Sequence, residues 1–236
     1  MISKTKMLSF VKELRWQEVR EALRESPDLI GVRDKRGRNW LHLCCGVDVS
    51  KRGPEAAGEG IKLAEVLLKH GLNINDAAFT QGAWKATALW YAIAFGKNVR
   101  LAAYLLKRGS DSNHCLWAAV YNNDRAAIRL LIKNGAEIPE DKKSTPLLAA
   151  VQWSRYEAAE ELLKLGVDPN YQDSKGMTAL HHMLKRGADK KHIRMFLGYG
   201  ARGDIKDQNG LSAAAIMMKK RDPEYHSMGA RFLKSE

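Results

Sequence analysis

The chain has 236 residues, 45% of them hydrophobic and 28% charged, with 19 Gly and 6 Pro, which excludes disordered and collagen-like classes. Its longest uninterrupted apolar run, residues 88–95, is far short of a membrane span. Lys and Arg number 39 against 27 Asp and Glu, a net charge of +12 that favours an acidic or polyanionic partner.

At the N-terminus, Lys4 and Lys6 precede an apolar stretch that Ser9 interrupts and Lys12 ends. That is too short for a secretory signal, so the chain is expected to be non-exported and cytoplasmic. Residues 7–14 and 17–23 read as a helix pair with a charged outer face, and Ser26-Pro27 stops the second helix.

Two phrases then alternate along the chain. One reads Asn39-Trp40-Leu41-His42, Thr87-Ala88-Leu89-Trp90, His114-Cys115-Leu116-Trp117, Thr145-Pro146-Leu147-Leu148 and Thr178-Ala179-Leu180-His181, with a degenerate copy at Ser212-Ala213-Ala214-Ala215. The other ends in glycine after two or three apolar residues: Val66-Leu67-Leu68-Lys69-His70-Gly71, then copies closing at Gly109, Gly135, Gly166 and Gly200. Thr or Ser at the start of the first phrase predicts a helix N-cap, and Pro146 sits where a helix tolerates proline. The closing glycine predicts a left-handed C-cap. One such unit cannot bury its apolar face alone, whereas stacked neighbours can.

Three departures interrupt the pattern. Residues 47–60, rich in Gly, Pro and charge, mark a surface loop, which fits a tolerated insertion ahead of a binding loop. Residues 75–87 are longer than the connection elsewhere and carry Phe79 and Trp84, which fit either a contact knob or aromatics folded back over the neighbouring core. Asn113 runs straight into His114, so the connection before that unit is nearly absent, and a notch is expected beside the long one.

Lys175-Gly176-Met177-Thr178-Ala179-Leu180-His181 and Leu162-Leu163-Lys164-Leu165-Gly166-Val167-Asp168-Pro169-Asn170 carry a family resemblance. On these, and on copies at matching phase from about Leu8 onward, the chain resembles the ankyrin-repeat family. The resemblance implies an all-α fold: an ankyrin-repeat solenoid of stacked helix-turn-helix units with short hairpin-like fingers, about seven units including two caps. It implies a single domain over residues 1–236, with an N-terminal capping unit at 1–36 and a C-terminal capping unit at 207–236. Central repeats fill 37–206, with the insertion at 47–60.

Ankyrin-like proteins bind partners through finger tips and the ends of each unit's first helix. Carried over to this sequence, the finger of the second unit offers Arg33, Lys35, Arg36 and Arg38 around Asp34 and Gly37. The fifth offers Asp141 and Lys142, and the sixth Ser174, Lys175 and Met177. The helix ends offer Phe95, Tyr121 and Trp153 at equivalent positions, then Lys185 and Arg186. With Phe79 and Trp84, these compose a partner-binding surface that is basic at both ends and aromatic in the middle. The expected partner is an acidic or mixed protein surface engaged by a monomer. Nucleic acid, with bases stacked on the aromatics and phosphates held by the cations, is the alternative.

No hydrolase, phosphate-loop or zinc-protease motif occurs. The chain is therefore expected to be non-catalytic, with no cofactor and no metal. Cys44, Cys45 and Cys115 are odd in number and lack metal spacing, which predicts buried thiols. By the resemblance, His42 and His181 hold a structural position where the ring bonds the neighbouring turn. His70 and His192 read as surface helix residues.

Overall fold

Each unit opens with a helix for a local reason. Asn39 accepts from the amides of Leu41 and His42 at 3.0 and 3.1 Å, Thr145 from Leu148 at 3.2 Å, and Ser212 from Ala215 at 3.2 Å. These side chains satisfy amides that have no partner within the first helical turn. Pro146 takes the first helical position, where its missing N–H costs nothing. At the far end of its unit Gly166 has φ +85°, the left-handed cap its phrase predicts.

The computed structural model describes residues 2–82, 84–138 and 144–232. The finger residues Asp141 and Lys142 lie outside the described residues. The chain packs as two compact units, residues 1–119 with 133–136, and residues 120–132 with 137–236.

In the first unit the helices are α1 (Lys4–Lys12), α2 (Trp16–Glu25), α3 (Trp40–Cys45), α4 (Ala56–Lys69), α5 (Ala88–Tyr91) and α6 (Val99–Lys107), followed by α7 (Cys115–Tyr121). They form two rows: α1 packs on α3 and α3 on α5, while α2 packs on α4 and α4 on α6. Met7, Leu23, Leu41, Leu63, Leu67, Leu89, Leu101 and Leu105 are fully buried between the rows. Their removal from water is the main force holding the layers together. A hairpin of β1 (Ala77–Gln81) and β2 (Trp84–Thr87) precedes α5.

The second unit continues with α8 (Arg125–Lys133), α9 (Pro146–Gln152), α10 (Tyr156–Lys164), α11 (Ala179–Arg186), α12 (Lys190–Gly198), α13 (Ala213–Met218) and α14 (Pro223–Ala230). Again α9, α11 and α13 pack in series, and α10 packs on α12. Leu162, Leu180, Met183, Ile193, Phe196 and Met217 are fully buried here. Stacked helix-turn-helix layers are thus the architecture the resemblance implies.

Polar side chains stitch each layer to the next. The Nδ1 atom of His42 accepts from its own N-cap amide at 3.2 Å, which leaves Nε2–H to donate to the Asp76 carbonyl at 3.0 Å. His181 repeats this with Thr178 at 3.1 Å and Leu211 at 3.0 Å. Both hold the structural role expected of them. Asn75 bridges the Gly109 carbonyl and the Asp111 amide, and Asn170 bridges the Gly200 carbonyl and the Arg202 amide in the same way.

Four local features differ from the sequence reading. The insertion is not loop throughout: a 3-10 turn forms at Val49–Lys51, and α4 begins at Ala56 inside the predicted loop. The helix that should end near Phe95 does so through a π-helical turn, Ala92–Gly96. Among the described residues β1 and β2 are the one hairpin; the sixth finger is a turn, and the connection into the C-terminal unit carries an isolated bridge between Lys206 and Ser212. His192 is no bare surface residue, because its ring stacks on Tyr156 with centroids 3.7 Å apart. The connection at residues 110–113 is a bare turn, as expected, and His114 takes φ +62°.

Candidate functional site

A cleft of about 940 Å³ opens on the finger side of the first unit. Its floor is aromatic. Phe79 meets Trp84 edge to face at 5.5 Å, Trp84 meets Trp90 at 5.2 Å, and Trp90 meets Phe95 at 5.4 Å. Tyr91 lies beneath, 5.3 Å from Trp90 and 5.5 Å from the ring of His42. Edge-to-face contacts of this kind order the rings beyond what burial alone gives. The hairpin supplies Phe79 and Trp84, α5 supplies Trp90 and Tyr91, and the π turn swings Phe95 out to 52% exposure.

Two glycines permit this assembly. A Cβ on Gly37 would lie 2.2 Å from the Ala78 carbonyl oxygen, and its φ of +74° also disfavours any other residue. That close approach sets the basic finger against β1. A Cβ on Gly96 would lie 2.1 Å from the Cys45 carbonyl oxygen, so the π turn closes onto α3 only with glycine there.

The rim is basic. Lys12, Arg36, Arg38, Lys51 and Arg52 line the cleft with, among the described residues, one carboxylate, Asp48. Arg38 is paired with Asp34 at 2.7 Å. Burial pushes the Asp34 carboxyl up, but hydrogen bonds from the Arg38 side chain and from the Arg38 and Arg36 amides outweigh it and hold the group ionised. Asp48 is held below the usual carboxylate range, first by the Ser50 hydroxyl at 2.6 Å, and it pairs with Lys97 at 3.4 Å. Lys12, Arg36, Lys51 and Arg52 are exposed.

The insertion forms one wall of the cleft through Val47, Asp48, Lys51 and Arg52. Its first half is anchored twice: Arg52 donates to the Lys12 carbonyl at 2.8 Å, and Asp48 reaches Lys97 just after the π turn. The surface insertion is therefore anchored to the rest of the unit.

Of the predicted binding residues, the cleft brings together Arg36, Arg38, Phe79, Trp84 and Phe95. Lys35 is exposed on the same finger. Arg33 stays exposed, donating to the Gly37 carbonyl at 2.8 Å and pairing with Asp76 at 2.8 Å. In the second unit Tyr121 and Trp153 are 57% and 38% exposed and meet edge to face at 5.4 Å. Arg155 donates to the Tyr121 carbonyl at 2.8 Å and lies over that ring. Lys185 lines a separate hollow with Lys175 and Lys220, and Arg186 is exposed.

All three thiols are buried. Burial pushes Cys115 up to about 12 and Cys45 well above its ordinary value, so both stay neutral. Among the described residues no group of three His, Cys, Asp or Glu could hold a metal ion, and no helix is long and apolar enough to cross a membrane.

Comparison with known proteins agrees with this fold. The family described as ankyrin repeats (3 copies) matches residues 110–173. The human ASB11 ankyrin repeat domain superposes with a TM-score of 0.70 at 18% identity, over 94% of this chain and 96% of its own. The fold is that of an ankyrin-repeat domain. Among sequence relatives, the probable 26S proteasome regulatory subunit p28 of Saccharomyces cerevisiae is 28% identical over 216 residues, 86% of this chain and 89% of its own. Inversin of Gallus gallus is 27% identical over 129 residues, 53% of this chain, but that match spans only 12% of inversin.

Several contributors to the cleft were not assigned from sequence: the cations Lys12, Lys51 and Arg52, and the aromatics Trp90 and Tyr91. Trp90 closes a helix-opening phrase and Tyr91 follows it. The available signal was their position directly after a finger already rich in aromatics.

Proposed function

We propose that the chain is a non-catalytic binding domain for an acidic or mixed protein surface, engaged through its finger tips and first-helix ends. Ankyrin-repeat domains generally mediate protein–protein interaction and are typically non-catalytic. The observation that carries the reading is the grouping of exposed Phe79 and Phe95 with the exposed finger cation Arg36, on a rim that also carries Lys12, Lys51 and Arg52. Large aromatics supply the binding energy at such interfaces, and charge steers the encounter. The name of the yeast relative, a proteasome regulatory subunit, supports a protein partner over other classes. On this reading residues 1–236 act as one cytoplasmic, monomeric binding domain.

Selection of binders from a random peptide display library tests the reading. Binders enriched in Asp and Glu support it; binders without that enrichment contradict it. Nucleic acid is tested separately, by anisotropy of labelled single and double strands at two salt concentrations. Tight binding that falls steeply with salt is what phosphate contacts would produce and would replace the protein reading.

A further inference from the structure

Resting on that protein-binding reading, we infer that the first-unit cleft takes a linear acidic segment of a partner, one large apolar side chain flanked by aspartates or glutamates. The cleft is walled on three sides, by the basic finger, the hairpin and the insertion. A flat protein surface cannot reach the rings at its floor, whereas a projecting side chain can. Phe79 and Phe95 expose about half their surface there, at 51% and 52%, so an apolar guest removes that area from water. Aromatic boxes also suit cations, but this one is ringed by Lys12, Arg36, Lys51 and Arg52. Those charges repel a cation and pair with carboxylates on either side of the anchor. The lining carboxylate, Asp48, is already occupied by Lys97 and Ser50.

The site is largely built in advance. The insertion wall is fixed to α1 by Arg52 and to the end of the π turn by Asp48. The rings are ordered by one another. A preorganised pocket loses less conformational freedom on binding, so a short segment suffices.

The test uses fluorescein-labelled heptapeptides with three acidic residues on each side of a central Leu, Ile, Met, Phe, Tyr, Trp or Ala, titrated with the full chain. At least one large apolar centre should bind about tenfold tighter than Ala, the scale of a single hot-spot side chain. Replacing the acidic flanks with lysines should abolish binding. Phe95→Ala and Lys51→Glu should each weaken the best peptide about fivefold or more. Both residues are exposed, and circular dichroism checks that the variants fold. Lys69→Glu, on the exposed end of α4, should leave affinity unchanged. If no apolar centre outperforms Ala, or if neither Phe95→Ala nor Lys51→Glu has an effect, the cleft is not the docking site. Acidic binders from the display selection would still stand in that case, and would place the interface elsewhere on the domain.

Discussion

The indole ring of Trp84 meets that of Trp90 edge to face at 5.2 Å, joining the hairpin to the helix that follows it. One ring belongs to β2 and the other to α5. The hairpin therefore packs back on its own unit while Phe79 stays half exposed at its outer end. Trp84 thus takes the folded-back position, while Phe79 is left exposed. A double-mutant cycle of Trp84→Ala and Trp90→Ala by chemical unfolding should give a coupling of about 1 kcal/mol, typical of aromatic pairs. Additive losses would mean that the two rings do not support each other.

Gly37→Ala should damage fold and binding together. The substitution forces a left-handed φ on alanine and sets a methyl against the Ala78 carbonyl oxygen. The expected loss is about 2 kcal/mol or more in unfolding free energy. The finger bearing Arg36 and Arg38 should also move off the hairpin. A variant as stable as the parent would show that the finger does not seat on β1.

The His42 ring gives stability a defined pH dependence. Burial lowers its pKa below the ordinary 6.5, and the hydrogen bond to the Asp76 carbonyl only partly opposes this. The unfolded chain thus takes up the proton first as pH falls. This contribution is complete above about pH 6.5 and is lost as pH drops through the folded value. Arg33, paired with Asp76, adds repulsion in the same direction. Thermal midpoints measured from pH 7.5 to 5.5 should decline for the parent chain and decline less for His42→Gln. Parallel curves for the two proteins would remove His42 from the pH response.

Glu161 plays an energetic role in the second unit. Its buried carboxylate receives Arg129 at 2.6 Å and Arg125 at 3.1 Å. The hydrogen bond from Arg129 is the largest of the effects holding it below the usual range. Both arginines are partly exposed, so Glu161→Gln should cost about 2 kcal/mol rather than the full penalty of a broken interior pair. Denaturant unfolding of the variant measures this directly, and a change below about 0.5 kcal/mol would count the network as surface decoration.

The repeat itself was plainly legible, because N-caps, closing glycines and buried leucines recur at fixed offsets and each has a local cause. The paired histidines were legible for the same reason. The cleft was legible only in part. Arg36, Arg38, Phe79, Trp84 and Phe95 were assigned from finger and helix-end positions, but nothing in the sequence showed that a π turn would bring Phe95 alongside Trp90. Anchoring of the insertion was equally hidden: Arg52 contacts the Lys12 carbonyl 40 positions away, and no local pattern encodes that. The pairing of Arg33 with Asp76 was hidden in the same way, the two lying 43 positions apart.

Indole proton NMR tests the central claim most directly. The chain has six tryptophans, and two of them, Trp84 and Trp90, line the cleft. Titration with an acidic peptide taken from the display selection should shift the Nε1–H signals of Trp84 and Trp90 and leave those of Trp16 and Trp40 in place. Saturable binding that leaves the Trp84 and Trp90 signals unmoved would contradict docking at the cleft.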